Sequence, residues 1–213
     1  MDTLIIEKKN EVYITVDCDP NIQREISEFF TFYVPGYKFM PAFRNRMWDG
    51  KIRLYSQKTK EIYFGLFPYI RAFAEERGYS IVSGEGVEID NKVDRNIVEK
   101  FSNSLGQKFE ARDYQIDAIY HSLKFNRALL LSPTASGKSF IIYSLIRYYS
   151  HLIKDSPNNR ILLIVPTTSL VEQMYSDFQS YGWNVKKNCH RLYSGYSNQT
   201  DKKVLISTWQ SLY

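Results

Sequence analysis

The chain has 213 residues, a mass of 25.1 kDa and 44% hydrophobic residues, which is enough for one large domain or two small ones with apolar cores. The net charge is only +5, no apolar run approaches the roughly 18 residues of a membrane-spanning helix, and the start MDTLIIEKKN is charged too early for a secretory signal. Cys18 and Cys189 lie far apart without a C-x-x-C unit, so we expect free thiols in a reducing cytoplasm and neither a disulfide framework nor a zinc site.

The first third of the chain predicts a small unit of strands and helices. Residues 3–18, TLIIEKKNEVYITVDC, alternate apolar and polar positions around a charged break, which is typical of a β-hairpin. Asp19-Pro20 is a helix start signal, and the run from there to Pro35-Gly36 predicts one helix. The predicted apolar face of this helix consists of Ile22, Ile26, Phe29, Phe30 and Tyr33.

A second hairpin, a helix and a strand follow. KIRLYSQKTKEIYFG predicts a hairpin that turns at residues 57–59, FPYIRAFAEERGY predicts a helix closed by Gly78, and SIVSG predicts a strand. Residues 84–110 are polar and contain glycine, so we predict a connector there. We therefore assign a small αβ domain to residues 1–95.

Beyond Arg112 the sequence alternates strand and helix patterns. YQIDAIYHSLKF, SFIIYSLIRYYSHLI and TSLVEQMYSDFQSYG predict helices, whereas ALLLS, ILLIVP and VLIST predict buried strands, and WNVKKNCHRLYSG fits either. Such an alternation predicts a parallel sheet. The fold class is therefore α/β, with a small α+β N-terminal domain before part of a parallel-sheet lobe over residues 96–213.

The stretch SPTASGKS is similar to the phosphate-binding pattern G-x-x-x-x-G-K-[ST], with serine in place of the first glycine. A predicted strand over Ala128–Leu131 precedes it and a predicted helix begins near Gly137, so backbone N–H groups can surround a phosphate. Serine fits the first position if its φ is below zero. The residues that we expect to bind ATP here are Ser132, Pro133, Thr134, Ala135, Ser136, Gly137, Lys138 and Ser139.

Two residues of this loop carry the predicted chemistry. Lys138 is expected to contact the β- and γ-phosphates as a point charge, and Ser139 is expected to ligate Mg²⁺, a hard cation that accepts one hydroxyl and keeps most of its waters. Upstream, the amide of Gln115 in R-D-Y-Q can both donate to and accept from an adenine edge, and Arg112 can stack or clamp nearby. These residues together predict an ATP site.

Two groups of residues are candidates for DNA contacts. VPTTSLVEQ places Thr167 and Thr168 at the start of a helix, where hydroxyl and N–H groups suit a phosphate, and Thr208 in STWQS repeats the arrangement. A simple helix cap explains these threonines equally well. Residues 36–60 carry seven basic residues against one acid. Within that tract, the predicted phosphate contacts are Arg44, Arg46, Lys51 and Arg53.

Four aromatic residues alternate with the charges of this basic tract, as they do on surfaces that stack on single-stranded bases. We favour core packing over base stacking for each of them. These residues are Phe39, Phe43, Trp48 and Tyr55.

In order and spacing, R-D-Y-Q, SPTASGKS, VPTTSLVEQ and STWQS resemble the Q motif and motifs I, Ia and Ib of superfamily 2 helicases. Within that superfamily the whole chain is similar to the UvsW family of recombination helicases of T-even bacteriophages. The resemblance implies a RecA-like ATPase lobe with ATP and Mg²⁺ as cofactors. It also implies DNA as the partner, especially branched DNA, together with RNA–DNA hybrids, during recombination, repair and replication in the cytoplasm of a bacterial host. It implies no membrane and identifies no protein partner.

A superfamily 2 motor also needs an Asp-Glu pair and arginines from a second lobe. The sequence contains no Asp-Glu dipeptide, and it ends just after the last motif, so we interpret it as an N-terminal fragment that is inactive alone. Two other functions remain open: a nucleic-acid-binding module with a nucleotide switch that does not hydrolyse ATP, and a small-molecule phosphotransferase. The phosphotransferase gives no reason for R-D-Y-Q or for the downstream threonines.

Overall fold

The computed structural model describes residues 2–87, 91–197 and 199–212. Its contacts divide the chain into two compact units, with the division between residues 89 and 90. We call them the N-terminal unit and the C-terminal unit. Within the described ranges, every helix is too short or too polar to cross a membrane.

In chain order the elements of the N-terminal unit are β1 (Thr3–Lys8), β2 (Tyr13–Asp17), α1 (Pro20–Phe29), β3 (Thr31–Tyr33), a 3₁₀ turn (Tyr37–Phe39), α2 (Pro41–Arg44), β4 (Lys51–Arg53), β5 (Tyr55–Ser56), β6 (Glu61–Tyr63), a 3₁₀ turn (Phe64–Leu66), α3 (Phe67–Arg77) and β7 (Ser80–Ser83). The unit is built on a five-stranded sheet with the order β5-β6-β2-β1-β7. The pairs β1-β2, β2-β6 and β5-β6 are antiparallel and β1-β7 is parallel, while β3 and β4 form a separate antiparallel pair.

One face of this sheet is completely covered. Alternate residues of β1 and β2, together with Ile62 of β6, are fully buried against Ile26 of α1 and against Ile70 and Phe73 of α3. The predicted first hairpin, the second hairpin, the helix closed by Gly78 and the strand after it are confirmed.

The predicted first helix is too long. It ends at Phe29, and residues 31–33 form β3, in which Thr31 lies opposite Arg53. Phe29 and Tyr33, which we placed on the apolar face of the helix, are exposed. A threonine–aromatic run favours a strand once a partner strand is present, and that partner lies twenty residues further along the chain.

In chain order the elements of the C-terminal unit are α4 (Arg95–Asn103), α5 (Asp113–Phe125), α6 (Lys138–Leu152), β8 (Ile161–Val165), α7 (Thr168–Ser180), α8 (Val185–Asn188), β9 (Cys189–Leu192), β10 (Val204–Thr208) and a 3₁₀ turn (Trp209–Leu212). Its three strands form a wholly parallel sheet with the order β8-β10-β9, which confirms the predicted sheet type. The core is formed mainly by apolar side chains of α6, α7 and the three strands.

Two predictions for this unit are wrong. The polar connector contains the helix α4, which Asp94 caps through its carboxylate and which buries Val98 in a cluster with Ile116 and Ile119 of α5. Ala128–Leu131 is not a strand, and Leu129 and Leu131 are 84% and 89% exposed. Among the described residues no strand pairs with this segment. An apolar run becomes a buried parallel strand only where neighbouring strands and helices cover it.

Candidate nucleotide-binding site

The predicted phosphate loop, residues 132–139, leads directly into α6, whose N-cap is Gly137. Gly137 has φ +78°, and Ala135 has φ +62°. Among the described residues the other non-glycine residues with positive φ are Arg46, Lys60 and Asn126, so Ser132 meets the condition under which serine can replace the first glycine. The two left-handed residues turn the loop around the first turn of the helix.

The Lys138 side chain lies back across its own loop. Its Nζ donates to the carbonyl oxygens of Ser132, at 3.1 Å, and Pro133, at 2.7 Å. An ammonium group has three donors, and these carbonyls hold it beside the backbone N–H groups of the loop. A bound phosphate can exchange with the carbonyls as the partner of this cation.

Gln115 supports the loop from the first turn of α5. Its Oε1 accepts from the backbone N–H of Arg112, at 3.0 Å, and its Nε2 donates to the carbonyl of Ser136, also at 3.0 Å. The residue is only 5% exposed. A Cβ on Gly137 would lie 2.2 Å from Nε2, so the close approach requires glycine there. The amide retains one N–H and one lone pair, and its contact with adenine stays a prediction.

Tyr114 is a loop contact that the sequence analysis did not identify. Its hydroxyl donates to the carbonyl of Ser136, at 3.1 Å, and accepts from Nη1 of Arg112, at 3.2 Å. Two side chains of R-D-Y-Q therefore hold the same carbonyl of the phosphate loop. The signal was present, because Tyr114 immediately precedes Gln115 at a helix start.

The predicted magnesium ligand, Ser139, has its Oγ 3.3 Å from the hydroxyl of Tyr181, just after the end of α7. This second missed contact joins residues 42 positions apart, so only the tertiary structure reveals it. The described residues contain no cluster of three or more acidic, histidine or cysteine side chains that would hold a metal alone. The role of Ser139 as a magnesium ligand stays a prediction.

A cleft of about 610 Å³ opens beside the loop, a volume in the range of small-molecule sites. R-D-Y-Q contributes Arg112 and Tyr114 to its wall, and the exposed segment at residues 129–131 contributes apolar side chains. The complete lining is Arg112, Tyr114, Ala118, His121, Leu129, Leu130, Leu131, Ser132, Pro133, Thr134, Ala135, Ser136 and Ile141.

The predicted DNA-contacting threonines lie near one edge of the parallel sheet. Thr208 is the last residue of β10 and lies opposite Val165, the last residue of β8. Thr167 follows Val165 by two residues. Thr167 is exposed and caps α7, because its Oγ1 accepts from the N–H of Leu170 at 3.4 Å; Thr168 is also exposed. Thr208 is only 4% exposed, and its Oγ1 lies 3.0 Å from Oγ of Ser211. For Thr167, both the helix-cap interpretation and the phosphate-contact interpretation therefore remain open. A role of the three threonines in DNA binding stays a prediction.

The predicted basic contacts lie in the N-terminal unit, on and between α2 and β4. Arg53 pairs with Asp49 through both carboxylate oxygens, and this hydrogen bonding holds the pKa of Asp49 below its usual range. Nζ of Lys51 lies 4.9 Å from the ring centre of Tyr33. Arg44 and Arg46 are exposed and have no ion-pair partner among the described residues.

Of the four aromatic residues in this tract, Tyr55 packs in the core as expected, whereas Phe43 and Trp48 are half-buried and lie outside the core clusters. Tyr55 is buried, Phe43 contacts Tyr37 edge to face at 4.8 Å, and Nε1 of Trp48 donates to the carbonyl of Lys51 at 2.9 Å. Phe39 is 86% exposed, so the core-packing interpretation is wrong for this residue.

Comparisons with known proteins agree over both units. Residues 5–84 match the family described as "DNA helicase UvsW, N-terminal", and residues 108–213 match "Type III restriction enzyme, res subunit". The "ATP-dependent DNA helicase uvsW" of Enterobacteria phage T4 is 31% identical over 209 residues, which cover 94% of this chain and 41% of that protein. The chain thus spans less than half the length of this curated relative.

Solved structures show the same similarity. The "Crystal structure of the UvsW helicase from Bacteriophage T4" has a TM-score of 0.84 and 30% identity, with all of this chain and 76% of that one covered. "The crystal structure of T4 UvsW" has a TM-score of 0.84 and 31% identity, and the match covers 100% of this chain and 44% of that one. The resemblance inferred from the four motifs and the α/β fold class are confirmed. The chain belongs to the UvsW family of DNA helicases.

Proposed function

We propose that this chain supplies the DNA-binding N-terminal domain and the nucleotide-binding part of an ATP-dependent DNA helicase. The substrates are branched DNA and RNA–DNA hybrids, remodelled during phage recombination, repair and replication in the cytoplasm of the bacterial host. The observation that carries the proposal is the phosphate loop held by R-D-Y-Q through the carbonyl of Ser136. This arrangement couples a nucleotide-reading motif to a phosphate-binding loop.

The residue roles follow from this geometry. ATP would occupy the cleft beside the loop, with Lys138 on its β- and γ-phosphates, Gln115 and Arg112 toward the adenine, and Ser139 on Mg²⁺. The metal would supply charge neutralisation at the transferred phosphate. The domain division that we propose at residues 95 and 96 lies six residues after the division of the contacts between residues 89 and 90. The residues that would contact DNA phosphates are Arg44, Arg46, Lys51, Arg53, Thr167, Thr168 and Thr208.

Strand displacement by the protein that carries this chain tests the proposal. With Mg²⁺ and ATP, a labelled three-way junction and a tailed RNA–DNA hybrid should be separated faster than a blunt linear duplex of equal length. A non-hydrolysable ATP analogue and chelation of Mg²⁺ should each stop the reaction. Residues 1–213 alone should bind ATP weakly and show negligible turnover, because the sequence lacks the Asp-Glu pair.

Two results would count against the proposal. Robust DNA-stimulated ATP hydrolysis by residues 1–213 alone would contradict the assignment of the chemistry to an Asp-Glu pair. ATP-dependent changes in DNA affinity without turnover in the complete protein would favour the nucleotide switch instead.

A further inference from the structure

Residues 36–50 connect β3 to β4 and form a compact projection, which we call the 36–50 lobe. Tyr37 stacks on Tyr33 at 4.6 Å and meets the edge of Phe43 at 4.8 Å. Gly50, with φ +79°, approaches Tyr37 so closely that a Cβ would lie 2.3 Å from its ring. An aromatic cluster therefore fixes the base of the lobe.

Backbone hydrogen bonds fix its outer part. The N–H of Met47 donates to the carbonyl of Ala42 at 2.9 Å, and the N–H of Arg46 donates to the carbonyl of Phe43 at 3.0 Å. The short helix α2 begins at Pro41, whose ring fixes φ at a helical value. The tip of the lobe is therefore a preorganised surface.

Two apolar side chains project from this rigid scaffold. Phe39 is 86% exposed and Met47 is 81% exposed, and they are the most exposed large apolar side chains in the described part of the N-terminal unit. A folded domain gains nothing from holding a phenyl ring and a thioether in water. A partner with accessible apolar faces would remove both side chains from water.

The charged residues of the lobe indicate which kind of partner Phe39 and Met47 contact. Lys38, Arg44 and Arg46 line an open groove of about 630 Å³ together with Phe43, Met47, Trp48 and Asp49. Asp49 is already bonded to Arg53 and to the N–H of Lys51, so the three other charged groups leave the groove positive. A partner that fits offers anions next to flat apolar faces.

Unpaired DNA has this combination, because each phosphate is followed by a base whose face is free. In a closed duplex the base faces are covered by stacking, so the cations find phosphates but the apolar tips find no equivalent surface. Exposed phenylalanine and methionine side chains can act as wedges that replace a stacked base neighbour. Charge and shape together therefore favour a site where paired and unpaired strands meet.

We propose that Phe39 and Met47 contact unpaired bases at a DNA branch point, while Lys38, Arg44 and Arg46 hold the neighbouring phosphates. This inference rests on the proposed DNA-binding function and adds a structural reason for a branch preference. Phosphate contacts supply affinity for any DNA, and the two apolar tips supply the discrimination.

The test compares DNA affinities of the 213-residue chain by fluorescence anisotropy. The double variant Phe39→Ala/Met47→Ala is measured on a fork with unpaired arms and on a blunt duplex with the same number of phosphates. Tyr69→Ala is the matched control, because Tyr69 is an exposed aromatic residue on α3 outside the lobe. The double variant should bind the fork about tenfold more weakly and the duplex within twofold of the parent chain, and the control should match the parent chain on both.

A 2-aminopurine base at the branch point gives a second readout. Its fluorescence should rise when the parent chain separates it from its stacked neighbour. The double variant, added at a saturating concentration, should not produce this rise. Because neither side chain is charged, the salt slope should be the same for the parent chain and the variant.

The outcomes separate this inference from the proposed function. Parental fork affinity and a parental 2-aminopurine signal in the double variant would overturn the inference and leave DNA binding intact. An equal loss on fork and duplex would also overturn it. A parent chain that binds neither DNA would reject the proposed function as well.

Discussion

The two units of this chain close their sheets in different ways. In the N-terminal unit, the β1-β2 and β5-β6 pairs are local hairpins, and two helices cover one face of the sheet with fully buried residues. In the C-terminal unit, every described strand pair is parallel. Both sheets leave apolar side chains exposed: Ile5 and Val82 in the N-terminal unit, and Leu162 and Ile164 in the C-terminal unit.

Local hairpins thus supply two pairs of the N-terminal sheet, to which β1-β7 and β2-β6 add long-range pairs, whereas the described C-terminal sheet has no hairpin and relies on parallel crossovers alone. The use of charge differs as well. The N-terminal unit presents cations outward on a rigid lobe, while the C-terminal unit holds Lys138 against its own carbonyls. We therefore expect phosphates of DNA to be bound mainly by the first unit and phosphates of ATP only by the second.

The largest expected effect is that of Lys138→Ala in the helicase that we propose contains this chain. Turnover of ATP should be abolished, because the only side-chain cation that we place on the β- and γ-phosphates is lost. DNA affinity without nucleotide should remain within about twofold. ATPase and anisotropy assays measure the two effects, and unwinding at the parental rate would remove the loop from the mechanism.

Amide hydrogen exchange of residues 1–213 tests the difference in sheet closure. Amides at residues 129–131 should exchange about 10³-fold or more faster than those of Ile6 and Val16, because exposed unpaired backbone needs no opening step. Residue-resolved exchange measured by NMR gives both rates. Equal protection would mean that residues 128–131 pair in solution and that the predicted strand was correct.

One cysteine in each unit reports on its opening. Burial raises the pKa of Cys18 to about 11 and that of Cys189 to about 12. At pH 8 the thiolate fractions of Cys18 and Cys189 are then about 10⁻³ and 10⁻⁴. A thiol-reactive reagent should therefore label each cysteine of the folded chain roughly 100-fold or more slowly than it labels the urea-unfolded chain, and the rate should increase as the pH rises.

Labelling in increasing urea then compares the two units. Cys189 should react at a lower urea concentration than Cys18, because β9, which carries Cys189, pairs with β10 alone among the described strands. Mass spectrometry of Cys18→Ser and Cys189→Ser variants separates the signals. Labelling of both thiols at the same concentration would show one cooperative unit.

Changing Arg44, Arg46, Lys51 and Arg53 to Ala should weaken DNA binding about tenfold or more at low salt, with little dependence on sequence. The slope of log affinity against log salt should fall by up to roughly 4, and by less if Arg53 stays with Asp49. A double variant limited to Arg44 and Arg46 should then account for most of the change. Parallel salt titrations of equal affinity would exclude the lobe as the DNA contact.

The smallest effect concerns Thr167 in the second unit. Thr167→Asp keeps a side-chain oxygen for the helix cap but places a negative charge beside the expected phosphate, so stability should hold while DNA affinity falls several-fold. Thr167→Ala should cost about 1 kcal/mol of stability through the lost cap. Thermal unfolding and anisotropy separate the two roles, and unchanged DNA affinity in Thr167→Asp would leave only the cap.

Features that depend on neighbouring residues were predictable from the sequence. Alternation and turn residues located the first hairpin, Asp19-Pro20 located the start of α1, and Gly78, with φ +71°, located the end of α3. The spacing of SPTASGKS also located the loop that leads into α6, since a glycine and a lysine at a helix start act within one turn. Local steric and hydrogen-bonding preferences suffice for such features.

Other features depend on distant partners and followed only from the fold. β3 replaced the last turn of the predicted first helix because β4 pairs with it, and Ala128–Leu131 failed to form a strand because no described strand lies beside it. The two bonds to the carbonyl of Ser136 and the approach of Tyr181 to Ser139 likewise join segments far apart in sequence. Hydrophobicity records which residues benefit from burial, but only the folded chain determines which of them find a surface to bury against.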